Sequence, residues 1–375
     1  MTNIISGNIK RVLFFLPSKR WGWKEKFVIN SIKILERSGL ECYLVCKSGT
    51  RISDNAIIEN IKCLHMISAS SATLLPGQLY RFYKNLLTEY EIDVIHLFSL
   101  FHFFTLRWAS ESFPTVPVFL NFLFLKQFKK WNRLKNFLLN RVDHVFVTNE
   151  SDIKIVSDLF KIPIRKISSH NLSICDESKI NFVKNSTKNR FISTYLDNDH
   201  SIDLFETLFN GLNLFHERFR EYINLNIVFD KLNFDRTTLA LLNSLLENFP
   251  NIKVTFLDLS EELVTDCHII LSKDIIDEYT LDLMRYSVPL LIPRGSILHE
   301  QTISFKNNIF YKEGDLRELT NLLAINIFKN SALKEHEIDR ERFIKKNNEF
   351  IFQKIVIQNY RTAKEKRIRK YSSRL

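Results

Sequence analysis

Short apolar runs alternate along the chain with stretches whose apolar positions recur at helical spacing. VLFFLP (12–17) is apolar throughout, the pattern of a strand buried on both faces. A turn, SKRWGW, follows, and then a helix over about 24–38 with Phe27, Ile32, Ile34 and Leu35 turned inward. CYLVCKSG opens the next strand at Cys42, and further strands are expected at 61–67, 94–99, 117–124 and 144–149, with helical patterns between them. The polar, turn-rich stretch CDESKINFVKNSTKN (175–189) interrupts the series. It then restarts as RFISTYL, a helix over 201–218, LNIVFD, a helix over 234–248, KVTFLD, CHIILS, a helix over 278–286, PLLIPR, NIFYKEGD and a helix from 315. Strand–helix alternation of this kind predicts parallel, doubly wound α/β sheets. Two such domains are expected, over 1–175 and 176–335, facing a cleft. A charged helical tail, 336–375, is expected to cross back to the first domain.

The length of 375 residues suits two domains of ordinary size. Glycine is scarce, 8 against 32 phenylalanines, and this bears on chemistry because glycine-rich loops bring backbone amides against phosphates. The net charge of +11 favours anionic partners. No G-x-G-x-x-G follows a strand, and no nucleic-acid motif or stacking aromatic set accompanies the basic tail, which argues against a dinucleotide or nucleic-acid partner. The five cysteines are odd in number with no C-x-x-C, and are read as reduced thiols of a cytoplasmic protein. MTNIISGNIKRVLFFLP lacks the pattern of a signal peptide, and the most apolar stretches, 95–106 and 116–125, are too short to cross a bilayer.

FLKQFKKWNRLKNFLLNR (124–141) reads as an amphipathic helix. Lys126, Lys129, Lys130 and Arg133 fall along one side, and Trp131 joins Phe124, Phe128, Leu134 and Leu138 on another. Such a helix suits the surface of an anionic membrane, and packs equally well on the sheet with a solvated basic face.

Several segments then stand in a telling order: RVLFFLPSKRWGWKEKFVINSIKILERSGLECYLV, EIDVIHLFS, VPVFLNFLF, RVDHVFVTNESDIKIV, FISTYLDNDHSIDLF, LSKDIIDEYTLDLMRYSVP and RGSILHEQTISFKNNIFYKEGDLRELTNLL. From residue 9 to about 328 this order resembles the retaining nucleotide-sugar glycosyltransferases of GT-B fold, with their lipopolysaccharide, capsule and glycolipid mannosyl- and glucosyltransferases. The resemblance implies two Rossmann-like domains, an acceptor domain first and a donor-nucleotide domain second. It implies no resident cofactor and no metal, the nucleotide sugar being a substrate. Gly22 falls where the family's glycine loop approaches the donor phosphate. His96 falls at the family's strand-end histidine. Asp274 and Asp282 take the places of two acids eight apart, the first by the sugar and reaction centre and the second on the ribose hydroxyls.

The departures are concentrated on the donor side. Thr194 and His200 occupy the positions of an Arg and a Lys that clamp the diphosphate, and Asn121 stands near the end of a strand that normally closes on a histidine. Losing two charge-assisted phosphate contacts costs roughly 1.5–3 kcal/mol each. Asp277 and Glu278 replace small residues next to the phosphate position. Arg294 is a candidate replacement cation. Two functions remain open. One is sugar transfer to a surface-polysaccharide or lipid-linked acceptor, with retention, on the cytoplasmic face of a membrane. The other is an inactive GT-B-like scaffold that stabilises a protein partner.

Overall fold

The structure is a computed structural model that describes residues 9–18, 21–66, 76–98, 103–123, 142–170, 181–183, 185, 189–197, 200–231, 234–272, 278–286, 288–302, 308–328, 341, 344–345 and 347–373. The chain forms two compact units, Met1–Ser173 with Glu349–Leu375, and Ile174–Asn348.

The first unit is built on seven strands: β1 (Arg11–Phe15), β2 (Glu41–Lys47), β3 (Lys62–Met66), β4 (Val94–Leu97), β5 (Val118–Phe122), β6 (His144–Val147) and β7 (Ile167–Ser169). They lie in the order β3-β2-β1-β4-β5-β6-β7, and every pairing is parallel. The central strands β1, β4, β5 and β6 are buried along nearly their whole length, which is why they read as unbroken apolar runs. Alternate residues divide between two faces. Leu13, Phe15, Ile95, Leu97, Leu120, Val145 and Val147 belong to one core. Phe14, His96, Phe119 and His144 lie in register across four strands.

This second, aromatic row is covered by the C-terminal helix, Glu349–Ser372, which buries Phe352, Val356, Tyr360 and Ala363. The Tyr360 ring stands 4.7 Å from that of Phe119. Polar contacts fix the helix along its length. Arg37 grips Glu349 through two bonds of 2.8 and 2.9 Å. Gln353 donates to the Ile34 carbonyl at 2.8 Å. Lys364 meets Asp93 at 2.5 Å, and Arg367 forks onto Asp143 at 2.9 and 2.7 Å.

Those two aspartates also serve the sheet. Asp93, just before β4, accepts from the backbone amides of Lys10 and Arg11 at 2.8 and 3.0 Å. Asp143, just before β6, accepts from the Val118 amide at 2.8 Å. Each carboxylate therefore satisfies the entry of a neighbouring strand and a cation of the terminal helix together.

The second unit contains β8 (Asn181–Val183), β9 (Arg190–Leu196), β10 (Ile223–Phe229), β11 (Lys253–Asp258), β12 (Glu262–Val264), β13 (Cys267–Ile269), β14 (Leu290–Pro293) and β15 (Ile309–Tyr311). Six of them form a parallel sheet in the order β11-β10-β9-β13-β14-β15, while β8 and β12 pair separately. Asp266 repeats the strand-entry device, accepting from the Phe191 amide at 2.9 Å. The short strands β7, β8 and β12 are not among those expected from the sequence. Three residues are too few to display a period.

Candidate functional site

In each large sheet the strand order reverses once, between β1 and β4 and between β9 and β13. The carboxyl ends of the strands at such a reversal are where open α/β sheets bind ligands. Gly22 follows β1, the Asp197–His200 turn follows β9, and the helix Glu278–Arg285 follows β13.

That helix carries Asp282 and is buried almost all round, from Tyr279 to Met284. Tyr279 stacks on Tyr195 near the end of β9, with ring centroids 5.8 Å apart. A buried polar chain ties the helix to the sheet. His268 on β13 bonds the Ser193 hydroxyl through Nδ1 at 2.9 Å and the Thr280 hydroxyl through Nε2 at 3.2 Å. Burial lowers the His268 pKa to about 3, so the ring is neutral and serves as one donor and one acceptor. Two residues beyond Thr280, the Asp282 carboxylate lies 3.6 Å from Arg285 Nε, and both side chains are largely enclosed. Arg285 was not singled out from the sequence. The spacing of DLMR shows an acid and a base three apart on a helix, but not that the two are enclosed. Asp274 lies outside the described residues.

The remaining donor-side candidates have other uses. Thr194 is fully buried, and its hydroxyl donates to the Ile269 carbonyl at 2.8 Å, across the β9–β13 pairing. It is part of the sheet and turns no polar atom outward. His200 Nδ1 accepts from the Asp197 amide at 2.8 Å, which fixes the proton on Nε2. Enclosure of the ring lowers its pKa to about 4, so His200 is neutral and supplies no cation at this turn. Arg294 is half exposed and bound to Glu318 on the helix Leu316–Phe328. Among these donor-side candidates, Asp282 lies beside an oppositely charged side chain of its own helix.

In the first unit, Gly22 caps the helix Trp23–Arg37 and is flanked by the buried Trp21 and Trp23. Its amide donates to Glu25 Oε2 at 3.1 Å, the half of a capping box that an N-cap glycine can make. The amide that the family resemblance aims at phosphate is thus directed to a side chain of its own helix. Burial raises the Glu25 pKa, against bonds from Ser18 and Gly22 that favour the charged form.

His96 is not at an open strand end. It is 1% exposed, and Nδ1 bonds Tyr360 of the terminal helix. Phe98 stacks on it at 4.6 Å and Phe14 lies at 5.3 Å. Burial depresses the imidazole and raises the phenol, so both are neutral. Its place is core packing, out of contact with solvent. Asn121 is likewise enclosed and donates to His170 Nε2 at 2.7 Å. His170 was also passed over in the sequence, because it follows the short strand β7.

The membrane candidates Lys126, Lys129, Lys130, Trp131 and Arg133 lie outside the described residues. No described helix is long and apolar enough to cross a bilayer. Among the described residues no cluster of three or more His, Cys, Asp or Glu is placed to hold a metal. Cys42, Cys46, Cys63 and Cys267 are free thiols.

Solved structures share this architecture over nearly the whole chain. A glycosyltransferase from Rickettsia africae ESF-5 superposes with a TM-score of 0.73 at 13% identity, over 95% of this chain and 99% of its own. The fold is GT-B. Anabaena Alr3699/HepE in complex with UDP and glucose gives 0.71 at 13% identity, over 94% of this chain and 99% of its own. The lipopolysaccharide outer core galactosyltransferase WaaB in its apo form gives 0.66 at 13% identity, over 95% and 99%. No family model matches the sequence, and no curated protein does. The GT-B likeness is thus carried by the backbone and the apolar pattern, with most individual side chains changed.

Proposed function

We propose that this chain transfers a sugar from a nucleotide-sugar donor to a saccharide or lipid-linked saccharide acceptor. The observation that carries the reading is the buried Asp282–Arg285 pair on the helix after β13, beside the reversal of strand order in the second unit. An enclosed carboxylate there suits two ribose hydroxyls, with the Arg285 guanidinium beside it as counter-ion. The proposed donor is a UDP-sugar, because HepE was solved in complex with UDP and with UDP-glucose. Asp274 is assigned to the sugar end of the donor, and retention follows the family that the sequence resembles. The acceptor class and cytoplasmic work at a membrane, with Lys126, Lys129, Lys130, Trp131 and Arg133 in contact, complete the proposal.

A second reading, a GT-B-like scaffold without activity, is favoured by four observations. Thr194 is committed to the sheet, His200 is neutral, Arg294 is engaged by Glu318, and the Gly22 amide is engaged by Glu25. A panel of UDP-, GDP- and TDP-sugars in a thermal-shift assay separates the two. Transferase function requires a saturable rise in melting temperature with at least one donor. No rise with any of them, from folded protein, selects the scaffold.

A further inference from the structure

Under the helix Glu278–Arg285 the sheet of the second unit presents a polar row among apolar neighbours. Asn226, Ser193 and His268 lie in register across β10, β9 and β13, and all three are buried. Asn226 is satisfied within the unit, donating to the Val264 carbonyl at 2.8 Å. Ser193 and His268 instead lead up to the helix. The Ser193 hydroxyl meets His268 Nδ1 at 2.9 Å, and His268 Nε2 meets the Thr280 hydroxyl at 3.2 Å. The other contacts of this helix with the sheet are apolar and aromatic. Tyr279 and Leu283, four apart, belong to one cluster with Tyr195, Val228 and Val288. The rings of His268 and Tyr279 stand 5.6 Å apart.

Helical geometry turns this contact into an orientation. Each residue advances by about 100° round the axis, so Asp282 lies about 200° from Thr280. With Tyr279, Thr280 and Leu283 against the sheet, Asp282 and Arg285 fall on the other side, where they lie 3.6 Å apart. The helix has eight residues, and two turns do little by themselves to hold one rotation. Apolar contacts are non-directional and tolerate a turned helix. A hydrogen bond is directional, and turning the helix would leave His268 Nε2 unpaired in the core.

We propose that His268, acting through Thr280, is a positioning residue for the donor: it fixes the rotation of the helix and so the direction of the Asp282 carboxylate. The inference rests on the sugar-transfer reading, in which Asp282 holds the ribose hydroxyls. His268 has no exposed surface and acts on the donor only through the helix. Its neutral ring does so by hydrogen bonding and not by charge.

Calorimetry of the full chain with UDP-glucose tests this, in a cycle that combines Thr280→Val with Asp282→Asn. Valine keeps the branched shape of threonine and removes the hydroxyl. Thr280→Val should weaken binding about fivefold where Asp282 is present, and leave it unchanged in the Asp282→Asn background. Thr280→Ser restores the hydroxyl and should bind like wild type. A purely structural role would lower melting temperatures without this dependence on Asp282. Should Thr280→Val fail to fold, Ser193→Ala at the other end of the polar chain takes its place in the same cycle. The inference is overturned if the variant binds like wild type, if its loss is the same in both backgrounds, or if Thr280→Ser loses as much as Thr280→Val. A wild type that binds no UDP-glucose defeats the transfer reading and this inference with it. A wild type that binds, beside a variant that binds equally well, defeats this inference alone.

Discussion

The phenol of Tyr360 and the imidazole Nδ1 of His96 share a hydrogen bond in the core of the first unit, across 264 residues of sequence. It joins the C-terminal helix to a central strand of the N-terminal sheet. Tyr360→Phe keeps the ring but leaves His96 Nδ1 without this partner, at a cost of about 1–3 kcal/mol. Tyr360→Ala also opens a cavity among Phe119, Phe146 and His96, and should cost about 3–5 kcal/mol. Urea unfolding of the two variants checks the order. Equal losses would mean that the hydrogen bond, and not the packing of the ring, holds the helix; no loss in Tyr360→Phe would mean that packing alone does.

Arg367 and Asp143 make the clearest long-range ion pair. Their side chains are 12% and 22% exposed, so the pair is only partly shielded from water. Arg367→Ala leaves Asp143 with the Val118 amide and the more distant charge of Lys166 in place of the fork. The expected loss is roughly 2–3 kcal/mol, below the 3–5 kcal/mol of a fully buried pair. Arg367→Lys should recover less than half, because one ammonium cannot reproduce the fork. A double-mutant cycle with Asp143→Ala measures the coupling; a coupling near zero would assign the loss to side-chain packing.

Acid should weaken the fold through buried neutral histidines. The His144 pKa falls to about 4, chiefly by burial and then by Lys366 and Lys166, and the His268 pKa to about 3 by burial. The unfolded chain takes up these protons near pH 6.5, before the folded one does. The stability they supply is therefore complete above about 6.5. It is lost as pH falls toward 4 for His144 and toward 3 for His268. Glu25 works in the opposite sense, since its raised pKa favours the protonated folded form. Urea midpoints should fall between about pH 7 and pH 5, and less steeply in His144→Gln. Equal slopes would mean that His144 titrates normally in the fold.

The fold was legible because its central strands are buried on both faces and spell it in unbroken apolar runs, as in VLFFL, VIHL and HVFV. The acids before β4 and β6 stood in view as well, in IDVIH and VDHVF. Their partners did not, because Lys364 and Arg367 lie more than two hundred residues away. The tail, 336–375, was expected to cross back to the first domain, but the sequence did not show that these two of its cations are spent on Asp93 and Asp143.

The candidate site was legible only in part. Matching positions located Thr194 and His96, but whether a polar side chain at a strand end turns outward or into the sheet depends on what packs over it. For His96 that cover is Tyr360, at the other end of the chain. Arg285 was missed for a different reason. Its significance comes from Asp282 being enclosed beside it, and burial of a charged helix position has no local signature.

The central claim rests on Asp282, and calorimetry with UDP-glucose tests it most directly. Wild type and Asp282→Asn should be titrated in parallel, with equal melting temperatures confirming that both are folded. Saturable binding by wild type, weakened at least tenfold in Asp282→Asn, is the predicted result, because the amide replaces a charged acceptor of ribose hydroxyls. Binding that is equal in the two proteins would place the donor elsewhere and contradict the account.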